Sequence, residues 1–337
     1  MKVDRIQPVD GGVDPREAAA QAERAGYDGF WVTEVTHDPF VGLALAATAT
    51  ARIDLGTSIA VAFARNPMST AVLANDLQAL SAGRLQLGLG TQVKAHVTRR
   101  FGMPWSQPAR RMREYVLALR AIWDTWHSGA RLSFRGEFYS HTLMTPAFAP
   151  PSHPHGPPPV LLAAVGPALT EVAGEVSDGL VAHPFTTQRY VREVTLPALR
   201  RGRSGAGRDL AGFTITGLPF VVTGRTDDEL AEAARAVRSR IAFYASTPAY
   251  RGVLELHGWA ELGDELHGLS RRGRWAEMGE RVPDEVLDAV AVVGPPAEAG
   301  AELARRYGDV FSRIAVDAPY PLEPEVADEL AAAVRAD

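Results

Sequence analysis

Short apolar runs and amphipathic helical stretches alternate along nearly the whole of this sequence. The runs at Val3–Val9, Gly29–Thr33, Ile53–Val61, Leu85–Leu89, Val160–Ala164, Gly179–Ala182, Phe213–Val222 and Phe311–Val316 read as strands. Helical patterns lie between them, over 14–25, 38–51, 67–81, 108–126, 167–176, 187–201, 227–245 and 296–307. Asp14 followed by Pro15 is a helix cap and first turn, and Gly26 suits the left-handed position just past the helix end. Strands this short and apolar, each followed by a helix, belong to a parallel sheet covered on both faces. Eight such strands favour a TIM (β/α)8 barrel over an open doubly wound sheet, so the whole chain, 1–337, is read as one domain. The pattern loosens after the fourth strand and again at 246–282, where insertions are expected. Residues 132–139 read as a hairpin, and seven prolines make 146–159 a loop.

In such a barrel the chemistry sits at the carboxyl ends of the strands. The stretches to inspect are therefore 34–37, 58–66, 90–96, 165–168 and 183–185. Composition narrows what they can do. The chain has no cysteine, which excludes disulfides, thiol nucleophiles, iron–sulfur ligation and thiolate zinc sites. Redox chemistry would then need a dissociable cofactor. Lys2 and Lys94 are the only lysines, which leaves almost nothing for a Schiff base and no lysine for a P-loop. With 35 basic and 40 acidic residues, a net charge of −5 and no long run of one sign, nucleic acid is not an expected partner. No apolar stretch has the length of a membrane span, and Met1 leads directly into a strand pattern, so a soluble, cytoplasmic protein is expected.

The residues at the strand ends resemble those of a known family. Leu55-Gly56-Thr57-Ser58-Ile59-Ala60-Val61-Ala62-Phe63-Ala64-Arg65-Asn66-Pro67 is similar to the third-strand motif of the bacterial luciferase-like superfamily, which comprises flavin monooxygenases and deazaflavin (coenzyme F420) oxidoreductases. Gly83–Gly90 with Phe101-Gly102 resembles the family's fourth strand and its exit. Ala163-Ala164-Val165-Gly166-Pro167, with Ala173-Gly174 and Ser177-Asp178-Gly179, resembles its phosphate-binding strand–turn–helix, and Glu34–Pro39 occupies the second strand end. Gly88-x-Gly90 alone is not a dinucleotide fingerprint, because the third glycine and the following helix are missing.

The resemblance implies a non-prolyl cis peptide at Ser58–Ile59, forming a bulge behind an isoalloxazine-type ring. It implies a cofactor site built from Ser58, Ile59, Ala60, Gly90, Thr91 and Gln92, with the phosphate on backbone N–H groups around Val165, Gly166, Pro167 and Ala168. The activity implied is hydride transfer between coenzyme F420 and a small organic substrate, by a homodimer. One alternative is an FMN-dependent monooxygenase fed by a separate flavin reductase. Another is a catalytically silent, cofactor-free barrel. Phe63, Trp105 and His183 are expected to line the substrate pocket.

Two departures from the family pattern matter. Many deazaflavin members place a histidine directly after the acid that ends strand two; here Val35 stands there and His37 follows two positions later. Many carry an Asn-Glu pair after strand four, where this chain has Lys94 and Ala95. His37 is therefore expected to take over proton transfer or substrate holding, with Glu34 bonded to it or to a cofactor ring atom, unless His37 belongs to the cap of the Asp38 helix. Three further stretches have plainer readings. His153-x-His155 could pair on a metal, but it has no carboxylate nearby and reads as solvated loop. No metal site is expected. Arg271-Arg272-Gly273-Arg274 could grip a phosphate or polyglutamate tail and reads more simply as an exposed basic turn.

Overall fold

A computed structural model describes residues 1–8, 12–316 and 318–336. Eight parallel strands close into a barrel: β1 (Lys2–Pro8), β2 (Gly29–Thr33), β3 (Asp54–Thr57), β4 (Leu85–Gly90), β5 (Val160–Ala164), β6 (Gly179–Ala182), β7 (Thr214–Gly217) and β8 (Arg313–Ala315). Neighbours in sequence are neighbours in the sheet; β8 pairs with β1 and with β7, and β3 pairs with β4. Val9, expected to end the first strand, lies outside the described residues.

The helices around the barrel begin where the sequence says they should, because their start signals are local. Asp14, Asp38 and Asn66 each accept a hydrogen bond from a first-turn amide, and each precedes a proline that needs no donor. They cap α1 (Pro15–Arg24), α2 (Pro39–Ala49) and α3 (Pro67–Leu80). There follow α4 (Pro108–Ser128), α5 (Pro167–Val176), α6 (Leu196–Gly205), which continues a helical start at Gln188–Tyr190 capped by Thr187 through a π-helical turn at Val191–Thr195, then α7 (Asp227–Ala245), α8 (Pro296–Tyr307) and α9 (Pro324–Ala336).

The structure corrects the sequence reading in four places. The run 53–61 is interrupted: β3 stops at Thr57, the Ser58–Ile59 peptide is cis, and Ala60–Val61 resumes pairing against Leu89 and Gly90. The run 213–222 is two strands, because Pro219 lies inside it and cannot donate to a ladder. β7 stays in the barrel, while Phe220–Val222 pairs with Ala291–Val293 beside it. The hairpin pairs Phe134–Arg135 with Ser140–His141, later than 132–139. The chain also does not finish on its last strand: α9 follows, with Leu330, Ala331 and Val334 buried.

The 246–282 insertion is largely helical, with Arg251–Leu256 and Ala260–Arg271 its main helices. With α7 and the Phe220–Val222 pair it forms a second apolar cluster, around Phe220, Ile241, Val253, Leu266 and Val286. Inside the barrel, Trp31, Leu161, Val181, Leu218 and Ala315 pack together, with Ile6, Ile59 and Ala163 against them. Below them, at the amino ends of the strands, Arg313 bonds both oxygens of the buried Asp4, at 2.6 and 2.8 Å, and reaches Asp54 at 2.6 Å. The barrel is thus sealed at one end and open at the other.

Candidate active site

A cavity of about 630 Å³ opens at the carboxyl ends of the strands, within the usual range for small-molecule sites. Ile59, Ala163, Val181 and Leu218 give it an apolar lining, while Ser58, Gln92, His183 and Tyr244 bring polar atoms to it. It extends along β1 toward α9, past Arg5, Tyr27 and Leu330.

The β3 side of the cavity is built by close backbone approach. A Cβ on Gly88 would fall 1.9 Å from the Thr57 carbonyl oxygen, and one on Gly90 would strike Ile59 Cδ1 at 2.7 Å. Only glycine lets β4 lie this near, and the Thr57 hydroxyl closes the gap by donating to the Gly88 carbonyl at 2.6 Å. Ile59 is thereby seated at the cavity. Ser58 beside it keeps a buried hydroxyl with no hydrogen-bond partner among the described residues. Buried polar atoms are rarely left unmatched, so this hydroxyl marks a place that a ligand would complete. Gln92 reaches the cavity at positive φ (59°), its side-chain oxygen accepting from the Val93 amide. Thr91 spends its hydroxyl on the Gln92 carbonyl, and Ala60 is buried in the strand pairing.

Glu34 does not bond His37. Its carboxylate accepts from the Val61 amide at 2.7 Å and from Arg65 at 2.8 Å, and Arg65 also bonds Asp38 at 2.7 Å. The pairing fixes the end of strand three and leaves Glu34 with its charge answered. His37 is exposed, and no hydrogen bond joins it to a described residue. The cap of α2 is Asp38 itself, through the Phe40 amide. Phe63 and Trp105 do meet, edge to face at 5.8 Å, but behind the cavity wall: Phe63 is fully buried with Arg111 over its ring. Lys94 and Ala95, in the positions of the family's Asn-Glu pair, are exposed.

His183 lies on the opposite wall. Its ring stacks on Tyr250 at 4.5 Å and meets the Tyr244 ring edge to face at 4.6 Å. Nδ1 accepts the Phe185 amide at 3.0 Å, so in the neutral ring the proton sits on Nε2. Enclosure by these aromatics pushes the imidazole pKa down to about 3, so the ring is an uncharged donor at neutral pH. Tyr244, Tyr250 and Arg240 escape a sequence reading. They come from α7 and the insertion, whose apolar spacing says helix but not which strand end the helix crosses.

At the start of α5, Gly166 is the capping residue and offers no side-chain acceptor, so the first amides of the helix are open to an anion. A Cβ there would meet nothing within 4 Å, and Pro167 and Ala168 are exposed. Tyr190 holds the preceding Val165 carbonyl at 3.2 Å. Among the described residues, no group of three His, Asp or Glu side chains could hold a metal ion. His153 shares a hydrogen bond with Asn75 at 3.1 Å, and Arg271 and Arg272 are exposed while Arg274 pairs with Glu277. No helix among the described residues is long and apolar enough to cross a membrane.

A parallel barrel with an apolar, polar-fringed cavity at its carboxyl end defines the class: a TIM-barrel protein with a ligand-sized cavity at the strand ends. The chain belongs to the luciferase-like monooxygenase family, whose model matches residues 12–313. A Mycobacterium tuberculosis protein described only as uncharacterised is 53% identical over 298 residues, covering 88% of each chain. A second protein of that organism, named as a coenzyme F420-dependent oxidoreductase, is 32% identical over 82% of this chain and 83% of its own. Among solved structures, the F420-dependent tetrahydromethanopterin reductase of Methanopyrus kandleri superimposes with a TM-score of 0.79 at 20% identity, covering 98% of this chain and 96% of its own.

Proposed function

We propose that this protein transfers a hydride between coenzyme F420 and a small organic substrate. The observation that carries the reading is the β3–β4 wall, where Gly88 and Gly90 let Ile59 reach the face of a cavity large enough for a tricyclic ring, with the unmatched Ser58 hydroxyl buried beside it. Relatives named for F420-dependent activity support it, among them a 5,10-methylenetetrahydromethanopterin reductase of Methanolobus tindarius, 29% identical over 85% of this chain and 84% of its own.

The residues present fit such a group. Ile59 would back the ring, Ser58 and Gln92 would meet its polar edge, and the open amides at the start of α5 would take its phosphate. A deazaflavin carries two electrons as a hydride and reacts poorly with oxygen, so the protein's share is orientation and proton placement. Glu34 serves by holding Arg65 and the Val61 amide, and so positions the wall. His37 remains the proposed proton carrier of the β2 loop.

Visible absorbance titrations with F420 and with FMN test the reading. Tight binding of F420 and weak binding of FMN is the expected result. The reverse assigns the chain to the FMN monooxygenases that work with a separate reductase, and binding of neither assigns a cofactor-free barrel. For His37→Ala, unchanged F420 affinity with a single-turnover rate lowered about 100-fold is expected of a proton carrier. An unchanged rate removes His37 from the chemistry.

A further inference from the structure

Among the described residues, the charged side chains around the cavity have partners, with one exception. Asp4 is bonded by Arg313 and Glu34 by Arg65, while Arg5 lies over the Tyr27 ring at 6.0 Å. Arg240 lines the same cavity and has no hydrogen-bond or ion-pair partner among the described residues. It sits one helical turn before Tyr244 on α7, so the two side chains share a face of that helix. Tyr244 in turn packs against the His183 ring. Arg240, Tyr244 and His183 therefore form one continuous wall, with a fixed cation at the rim and an oriented N–H donor further in.

A guanidinium is always charged and presents a planar fork of donors that matches a carboxylate or a phosphate. A neutral imidazole with Nδ1 already engaged can offer only Nε2–H, which suits a carbonyl or hydroxyl oxygen. Resting on the F420 reading above, we propose that the substrate is an organic anion. Its carboxylate or phosphate is held by Arg240 at the cavity rim, and an oxygen of its reacting portion is held by His183 Nε2–H. The Tyr244 ring then supports the apolar body between them. Among the described residues, the cavity's two acids, Asp4 and Glu34, are already paired and so offer nothing to a cationic substrate.

The test uses the full chain without cofactor and three probes of one size: benzoate, phenyl phosphate and benzamide, each titrated by calorimetry. Benzoate or phenyl phosphate should bind about tenfold more tightly than benzamide, the scale of one charge-assisted hydrogen bond. Whichever anion binds more tightly identifies the anionic group. Arg240→Gln should erase the difference and Arg240→Lys should restore part of it; Arg240 is exposed, so neither change threatens folding. Histidine-labelled protein should show an imidazole protonated on Nε2 whose signal moves on saturation with the preferred anion. Equal binding of all three probes, or a preference for the anions that survives Arg240→Gln, overturns the proposal. F420 affinity is measured on the same variants. If Arg240→Gln weakens F420 as much as it weakens benzoate, the cation serves the cofactor and the substrate assignment fails while the F420 reading stands. If the wild-type protein binds the anions but not F420, it is the F420 reading that fails.

Discussion

The two walls of the cavity are made in different ways. At the ends of strands two to four, directional bonds do the holding: Glu34 to Val61 and Arg65, Arg65 to Asp38, Thr57 to Gly88, and Arg100 to the Val35 carbonyl at 2.6 Å. At the ends of strands six and seven, rings do it. His183, Tyr244, Tyr250 and Phe185 pack at centroid distances of 4.5 to 6.4 Å, and behind them lies the separate apolar cluster of α7 and the insertion. Charge-assisted bonds and close backbone approach tolerate little displacement, whereas stacked rings can slide by fractions of an ångström at small cost. Under the function proposed above, the first wall would hold the cofactor and the second would meet the substrate.

The sharpest way to break this contrast is to cut the directional wall. Arg65→Met leaves Glu34, only 6% exposed, as a buried carboxylate without its cation, and should cost about 3–5 kcal/mol of stability in urea unfolding. Removing Arg251, which joins Glu255 and Asp264 on the surface of the insertion, should leave the urea midpoint close to wild type. Similar losses for the two would mean that the β2–β4 wall is not held by its ion pairs. Gly88→Ala comes next. Its methyl group would have to push the Thr57 carbonyl aside, for a loss of about 3 kcal/mol, at the upper end for overpacking a core. A melting temperature close to wild type would show that the two strands do not need so near an approach.

The sequence made these walls visible to unequal degrees, and the reason is range. Strand and helix starts were legible because Asp-Pro and Asn-Pro caps act within three residues. The cis peptide was legible through family resemblance in one continuous run, Leu55–Pro67, whereas the close approach of Gly88 and Gly90 to it was not. The Glu34–Arg65 pair was not, since it joins residues 31 apart across two loops, and the expected Glu34–His37 bond gave way to it. His183 was picked out at its strand end, but the rings that clamp it lie about 60 residues further on. Two misses had local signals. Pro219 marks the break in 213–222, and the Val326, Leu330, Val334 spacing after Pro324 marks the last helix.

The aromatic wall can be sharpened through its pH response. An imidazole held at about 3 in the folded protein and titrating near 6.5 in the unfolded chain takes up its proton only on unfolding between those values. Its effect on stability is absent above about pH 6.5 and grows on acidification by about 1.4 kcal/mol per pH unit toward pH 3. In urea unfolding at pH 7 and pH 5, the wild type should lose about 2 kcal/mol more than His183→Gln over that interval. Equal losses would mean that the ring is open to water and the wall is not closed around it.

The smallest effect on stability belongs to Gly166→Val, and it tests whether the start of α5 is a site at all. Gly166 has φ −73° and ψ 152°, an extended conformation that valine adopts freely, and a Cβ there would meet nothing within 4 Å. Neither sterics nor backbone strain therefore calls for glycine in the protein by itself. Glycine gives a modest capping preference over valine, so the helix should lose no more than about 1 kcal/mol. An anion resting on the amides of the first turn is another matter, because a branched side chain at the cap would stand over those donors. Affinity for F420 should accordingly fall by tenfold or more while the unfolding midpoint barely moves, the opposite of the pattern expected for Gly88→Ala. If Gly166→Val leaves F420 binding intact, the phosphate rests elsewhere, and the open space at Gly166 has no part in the cofactor site.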